Sequence, residues 1–175
     1  MTEVHSREDR GREPLCDLRA LTFIAPMGQA IVMDHPFAKR VENRPRSLPR
    51  KMRVVPSVVA VHCGLKWRDD YADTVSRITG ITVLDNLPGH VVGLMRLSGR
   101  QFTSAEEASS PWWSGPFGYE ISDAVRLDRP VALQGAQGWF RVTLRAAGLI
   151  LSQVADSWHP AWYLPFPGAP GRADA

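Results

Sequence analysis

Lys39-Arg40-Val41-Glu42-Asn43-Arg44, running into Pro45 and Arg46, is the stretch on which the reading of this chain turns. From residue 39 to residue 53 seven side chains are positive and only Glu42 is negative, a local net charge of +6 where the whole chain carries +3. A small domain with one concentrated basic edge suits a phosphate-rich ligand. Arg44 offers a planar two-pronged donor pair and Lys39 a point charge, and either can contact a phosphate. Glu42 accepts instead: it can hold the arginine in one rotamer or take a hydrogen bond from the exocyclic amine of a base, which phosphate contacts do not discriminate. A solvated charge run on a helix end would give the same letters, each exposed pair contributing about 0 to 1 kcal/mol.

Upstream, Ala20-Leu21-Thr22-Phe23-Ile24 reads as a first strand. Pro26 suits a first helical turn, and Met27 to Met33 form a short helix that stops before Asp34-His35-Pro36, after which a short turn presents residues 39 to 44. Downstream, Arg46, Arg50, Lys51 and Arg53 lie in a proline-punctuated loop and track a nucleic-acid backbone, with a salt slope near −0.7 per phosphate on a single strand. A solubilising loop is the alternative.

Ser57 to Cys63 is β-branched and mostly apolar, a strand buried on both faces that ends at Gly64. Asp69 caps a helix over 70 to 79, with Tyr71, Val75 and Ile78 at helical spacing and Gly80 as the stop. A strand follows over 90 to 97, then a loop over 98 to 111. Strands at 118 to 127 and 138 to 142 are separated by turns at Asp128 to Pro130 and Gly135, and Leu144, Gly148, Leu151 and Ala155 mark a closing helix. Five to six short strands with two or three helices and no βαβ alternation give an α+β fold, a small curved sheet or open β-barrel flanked by helices. Residues 20–155 form its single domain, between a flexible head at 1–19 and a Pro/Gly-rich tail at 156–175.

At 175 residues, 44% hydrophobic and 22% charged, the chain needs no covalent staple. No apolar run approaches the ~20 residues of a membrane span, and the mixed charges of the first ten residues exclude a secretory signal. A cytoplasmic protein is expected, and its two cysteines, Cys16 and Cys63, are read as thiols.

Several motifs, taken in order, resemble the ASCH family, the activating-signal-cointegrator homology domains of the PUA-like superfamily. They are Ala20-Leu21-Thr22-Phe23-Ile24-Ala25-Pro26, the Lys39-x-x-Glu42-Asn43-Arg44 element, His62-Cys63-Gly64 with Lys66-Trp67, Trp113-Ser114-Gly115-Pro116-Phe117-Gly118, and Pro130-Val131 followed by Gly135-Ala136-Gln137-Gly138-Trp139. The resemblance implies a PUA-like β-barrel with a cleft between barrel and helix. It also implies binding of RNA or DNA, with Lys39, Glu42 and Arg44 lining the cleft. Some small members are amidohydrolases on acetylated cytidine that use a lysine, a threonine and a glutamate. Here Glu42 stands three residues after Lys39, where those enzymes carry the threonine.

Two function classes stay open. In a binding module Lys39, Arg44 and Arg46 grip phosphate, while Glu42 and an aromatic read a base. In the alternative, an amidohydrolase or nuclease on modified nucleosides or RNA, Lys39 is general base or nucleophile and Glu42 a proton carrier. Asn43 belongs to the same element, and Lys66 and Trp67 wall the cleft. Trp112 is the surface aromatic for base stacking, worth ~1 to 3 kcal/mol per base, and Trp113 covers the barrel end. Trp139 is read as core, and Trp158 and Trp162 as lid or partner contacts. His62 and Cys63 have no partner at metal-ligand spacing and no phosphate-cradling glycine loop occurs, so neither metal nor cofactor is expected. Cys63 is a small core residue.

Overall fold

Residues 15 to 20 alternate strictly, with Leu15, Asp17 and Arg19 exposed and Cys16, Leu18 and Ala20 buried, the period-two signature of a strand covered on one face. Beyond Ala20 the opposite face is covered too, by Leu21 and Phe23. The structure, a computed structural model, describes residues 13–47, 57–83 and 87–159. Arg50, Lys51, Arg53 and Trp162 lie outside the described residues.

In chain order the elements are β1 (Leu15–Ala25), α1 (Met27–Val32), β2 (Val41–Arg44), β3 (Ser57–Trp67), α2 (Asp69–Thr79), β4 (His90–Phe102), α3 (Ala105–Ala108), β5 (Phe117–Ala132), β6 (Trp139–Thr143) and α4 (Leu144–Leu151). A 3-10 turn follows at Asp156–Trp158. The strands form one mixed sheet in the order β2-β5-β4-β3-β1-β6, with β1 and β3 parallel and every other pair antiparallel. The fold is therefore α+β, as expected. Among the described residues β2 and β6 are its two edges and no ladder joins them, so the sheet is open where the resemblance implies a barrel.

Both faces of the sheet are covered. On one, Leu18, Ala20, Ala60 and Leu94 pack under α4 and the 3-10 turn, with Ile150, Leu151 and Trp158 as the covering layer. On the other, Leu21, Phe23, Val61 and Met95 pack under Ile31 and Val32 of α1. A third cluster joins α1 and α2 to β2 through Ala30, Val75, Val41 and Trp112. Gly93 makes the α1 contact possible: a Cβ there would sit 2.3 Å from the Val125 carbonyl oxygen and 2.6 Å from Val32 Cγ1. Among the described residues no helix is long and apolar enough to cross a membrane.

Several elements differ from the sequence reading. β1 starts at Leu15, inside the expected polar head, because its alternating side chains complete the α4 face. β3 does not end at Gly64. The bare glycine lets the strand pass Thr22 Cγ2 at 3.0 Å and the Phe23 carbonyl oxygen at 3.2 Å, measured from where its Cβ would be, and pairing resumes at Ala25 and Trp67. β4 runs on to Phe102 because Gln101 and Phe102 pair with Tyr119 and Gly118. β5 continues through Pro130; among the described residues its distal half has no strand on the outer side, since β2 pairs only with residues 117 to 120, and the missing proline N–H breaks no ladder there.

Candidate functional site

Residues 39 to 44 do not form the expected turn. Val41–Arg44 is β2, an edge strand paired with Glu120–Phe117 of β5, and this explains the spacing of the charged residues. Successive strand side chains point to opposite faces, so Glu42 and Arg44 share one while Val41 and Asn43 share the other. Lys39 reaches the same face from the segment before β2, its backbone N–H anchored to the Ala30 carbonyl at 2.8 Å.

The three groups meet. Lys39 Nζ donates to Glu42 Oε2 at 2.7 Å and to the Val41 carbonyl at 2.5 Å, with both side chains buried. Arg44 Nε lies 2.8 Å from Glu42 Oε1, an ion-pair contact in which the N–H is turned off the carboxylate and makes no hydrogen bond. Its guanidinium carbon sits 6.0 Å from the centre of the Phe23 ring. The carboxylate is thus held from both sides, and the surplus positive charge belongs to Arg44, whose side chain stays 22% exposed.

These residues line a cleft of about 610 Å³ between the end of β1, β2 and α2, within the ~300–1,000 Å³ range of small-ligand sites. Helix α2 contributes Tyr71, Thr74 and Arg77, successive residues three apart that run along one flank of the helix beside the packed Val75 and Ile78. The turn 111–114 closes one side and Gln137-Gly138 another. Among the charged lining residues, Lys39, Arg44 and Arg77 are positive and only Glu42 is negative, a formal excess of two that favours an anion.

The remaining site residues divide. Trp112, expected at the surface, is buried at 5% exposure and donates Nε1–H to the Phe37 carbonyl at 3.0 Å, because β2, α1 and α2 leave an apolar socket there. Both tryptophans line the cleft, and Trp113 presents the more open ring: half-buried, it lies against Gly115 and Gly118, where a Cβ on Gly118 would come within 2.6 Å of it. Asn43 fixes this turn, donating to the Trp112 carbonyl at 2.7 Å and accepting from the Ser114 N–H at 3.0 Å. Lys66 and Arg46 are exposed and do not line the cleft. Trp67 does not wall it either; its Nε1–H goes to Asp69 Oδ1 at 2.9 Å.

Arg40 is structural. It donates to the Ile31 carbonyl at 2.8 Å, satisfying the open C-terminal end of α1. Trp158, expected as a lid or partner contact, is core at 7% exposure, with the Arg96 guanidinium 5.0 Å from its ring centre. Cys63 is fully buried, and burial pushes its thiol up to about 12. Among the described residues no cluster of three His, Cys, Asp or Glu side chains could hold a metal ion.

No model of a protein family matches the sequence, and no curated protein matches it. Among solved structures, the chain is similar to a single-residue variant of an ASCH protein from Zymomonas mobilis, at 12% identity and a TM-score of 0.47 over 79% of this chain and 97% of that one. It is also similar to an ASCH structure from the same organism, at 14% identity and a TM-score of 0.42 over 74% and 90% of the two chains. At these identities and TM-scores the likeness assigns neither ligand nor activity.

Proposed function

We propose that this chain is an ASCH-type nucleic-acid-binding module that takes one nucleotide of an RNA or DNA strand into the cleft. The observation that carries the reading is the convergence of Lys39, Glu42 and Arg44 on one concave, net-positive surface. Arg44 is the phosphate ligand: its two Nη groups hydrogen-bond to no described residue, and its fork suits two phosphate oxygens. Lys39 positions Glu42, whose remaining acceptor capacity meets base donors. Trp113, braced from behind by glycine backbone, supplies the stacking face in place of Trp112.

Amidohydrolase or nuclease chemistry draws no support from the same geometry. Lys39 Nζ is buried, and its contacts to the Glu42 carboxylate and the Val41 carbonyl are those of a group that holds the site together.

The test is fluorescence anisotropy of labelled single-stranded RNA and DNA across a salt series, for wild type and Arg44→Glu. Salt-dependent binding by the wild type is expected, with at least a tenfold loss in the variant, its fold checked by circular dichroism. Equal affinity for the two proteins would overturn the proposal, and so would turnover of acetylated cytidine that Lys39→Ala abolishes.

A further inference from the structure

The loop between β5 and β6 lines two depressions at once. Gln137 and Gly138 face the cleft, while Gln134, Gly135 and Ala136 face a larger groove of about 1190 Å³ that also reaches α4 and the start of β1. Ala136 and Gln137 are consecutive, so one loop forms the lip between the two hollows. The lip is held in place: Thr22 Oγ1 donates to the Ala136 carbonyl at 2.7 Å, and His62 Nε2 lies 3.0 Å from the Leu133 carbonyl.

Three exposed arginines from three elements rim this groove: Arg129 of β5, Arg141 of β6 and Arg145 of α4. Among the described residues Glu13 is the one acid in the lining, and Asp17 approaches Arg141 at 3.5 Å, so positive charge is in excess there. Arg145 stands in the first turn of α4, which carries no acid. A cation there opposes the helix dipole, so helix stability does not account for its presence. Among the described residues the groove has no aromatic lining on which a base could stack, and its apolar lining is aliphatic, with Leu15 and Leu149 more than half exposed.

We infer that this groove carries the sugar-phosphate backbone of the nucleotides flanking the one held in the cleft, the strand crossing the lip at Ala136-Gln137. The inference rests on the cleft's being a nucleotide site. The arginines supply sequence-independent phosphate contacts and the leucines face sugars. The groove thus adds affinity and reach, while base reading stays in the cleft.

The test uses the full chain and two labelled single-stranded probes, a dinucleotide and a decamer, with an Arg129→Gln/Arg145→Gln variant that leaves the Asp17–Arg141 pair in place. Dinucleotide affinity is expected to be unchanged and decamer affinity to fall. The slope of log affinity against log salt for the decamer should shrink by about 1.4, two contacts at ~0.7 each. A decamer slope equal to wild type overturns the inference and leaves the cleft proposal standing. Failure of the wild type to bind either probe overturns the cleft proposal itself. Weakened binding of an acidic amphipathic peptide by the variant, with both oligonucleotides bound as in wild type, would assign the groove to a protein partner and overturn the inference. Single Arg145→Gln provides the same readout should the double variant fold poorly.

Discussion

A buried lysine and glutamate 2.7 Å apart set the energetics of the cleft at the scale of single residues. Removing one partner of such a pair leaves an uncompensated charge and costs about 3–5 kcal/mol. Glu42→Gln should accordingly lower unfolding free energy by that amount in urea melts. Arg44→Gln, at a partly exposed site, should change it by less than ~1 kcal/mol while weakening oligonucleotide binding. The cysteines give a second check. Burial raises the pKa of Cys16 and pushes Cys63 up to about 12, so neither is a thiolate at neutral pH. A thiol reagent at pH 8 should label neither until denaturant is added; rapid labelling of the native chain would contradict this burial. The Lys39-x-x-Glu42-x-Arg44 trio was legible from the sequence as a charge cluster, whereas the strand that puts Glu42 and Arg44 on one side was read as a turn. Which neighbouring tryptophan presents the more open ring to the cleft was not legible, since the choice depends on a socket built from β2, α1 and α2. Thr74 and Arg77 were missed as cleft residues, and Tyr71 was read only with the packed Val75 and Ile78, although the three-residue spacing of the trio was a readable signal.

Single elements show where local rules suffice. Helix α2 ends where the sequence says it should: Gly80 sits at φ 73° and returns its N–H to the Ser76 carbonyl at 2.7 Å. No atom lies within 4 Å of where its Cβ would be, so Gly80→Ala should cost only the conformational penalty, about 1 kcal/mol. Gly93→Ala puts a Cβ against the β5 backbone, which cannot rotate away, and should cost about 3 kcal/mol. Thermal melts of the two variants separate a capping glycine from a packing glycine. Strand cores at 20–24, 57–63, 90–97 and 118–127 were readable from apolar and β-branched runs. Their extensions were not, because Gly64 and Pro130 carry breaker signals that neighbouring strands override: one admits β1 closely, the other lies along a free edge. The small helix α3 falls inside the stretch read as a loop, although Ser104 and Glu107 stand at capping-box spacing and the Glu107 N–H bonds Ser104 Oγ at 3.2 Å.

The described residues form a sheet covered on both faces, and the cleft and the groove share one loop, so what holds that loop links fold stability to both proposed contacts. His62 is the buried polar group at this junction, 2% exposed, with its ring edge-on to Phe140 and its Nε2 toward Leu133. Burial holds the imidazole below its ordinary value of 6.5, the Leu133 carbonyl pulls the other way, and His90 adds to the lowering. The folded chain therefore keeps a neutral ring whose Nε2–H serves Leu133, while Nδ1 and the Ala136 carbonyl compete for the single Thr22 hydroxyl proton. Because the folded value lies below the unfolded one, the unfolded chain takes up this proton first as the pH falls. Stability from this group is complete above about 6.5 and is lost as the pH drops from there through the folded value. Urea midpoints measured from pH 7.5 to 5.5 should fall for the wild type and fall less for His62→Gln, which retains an N–H near the Leu133 carbonyl but does not titrate. Parallel profiles for the two proteins would mean that the acid sensitivity arises elsewhere. A midpoint that rises on acidification in the wild type alone would mean that the ring is doubly protonated in the fold, clamping the loop through both nitrogens.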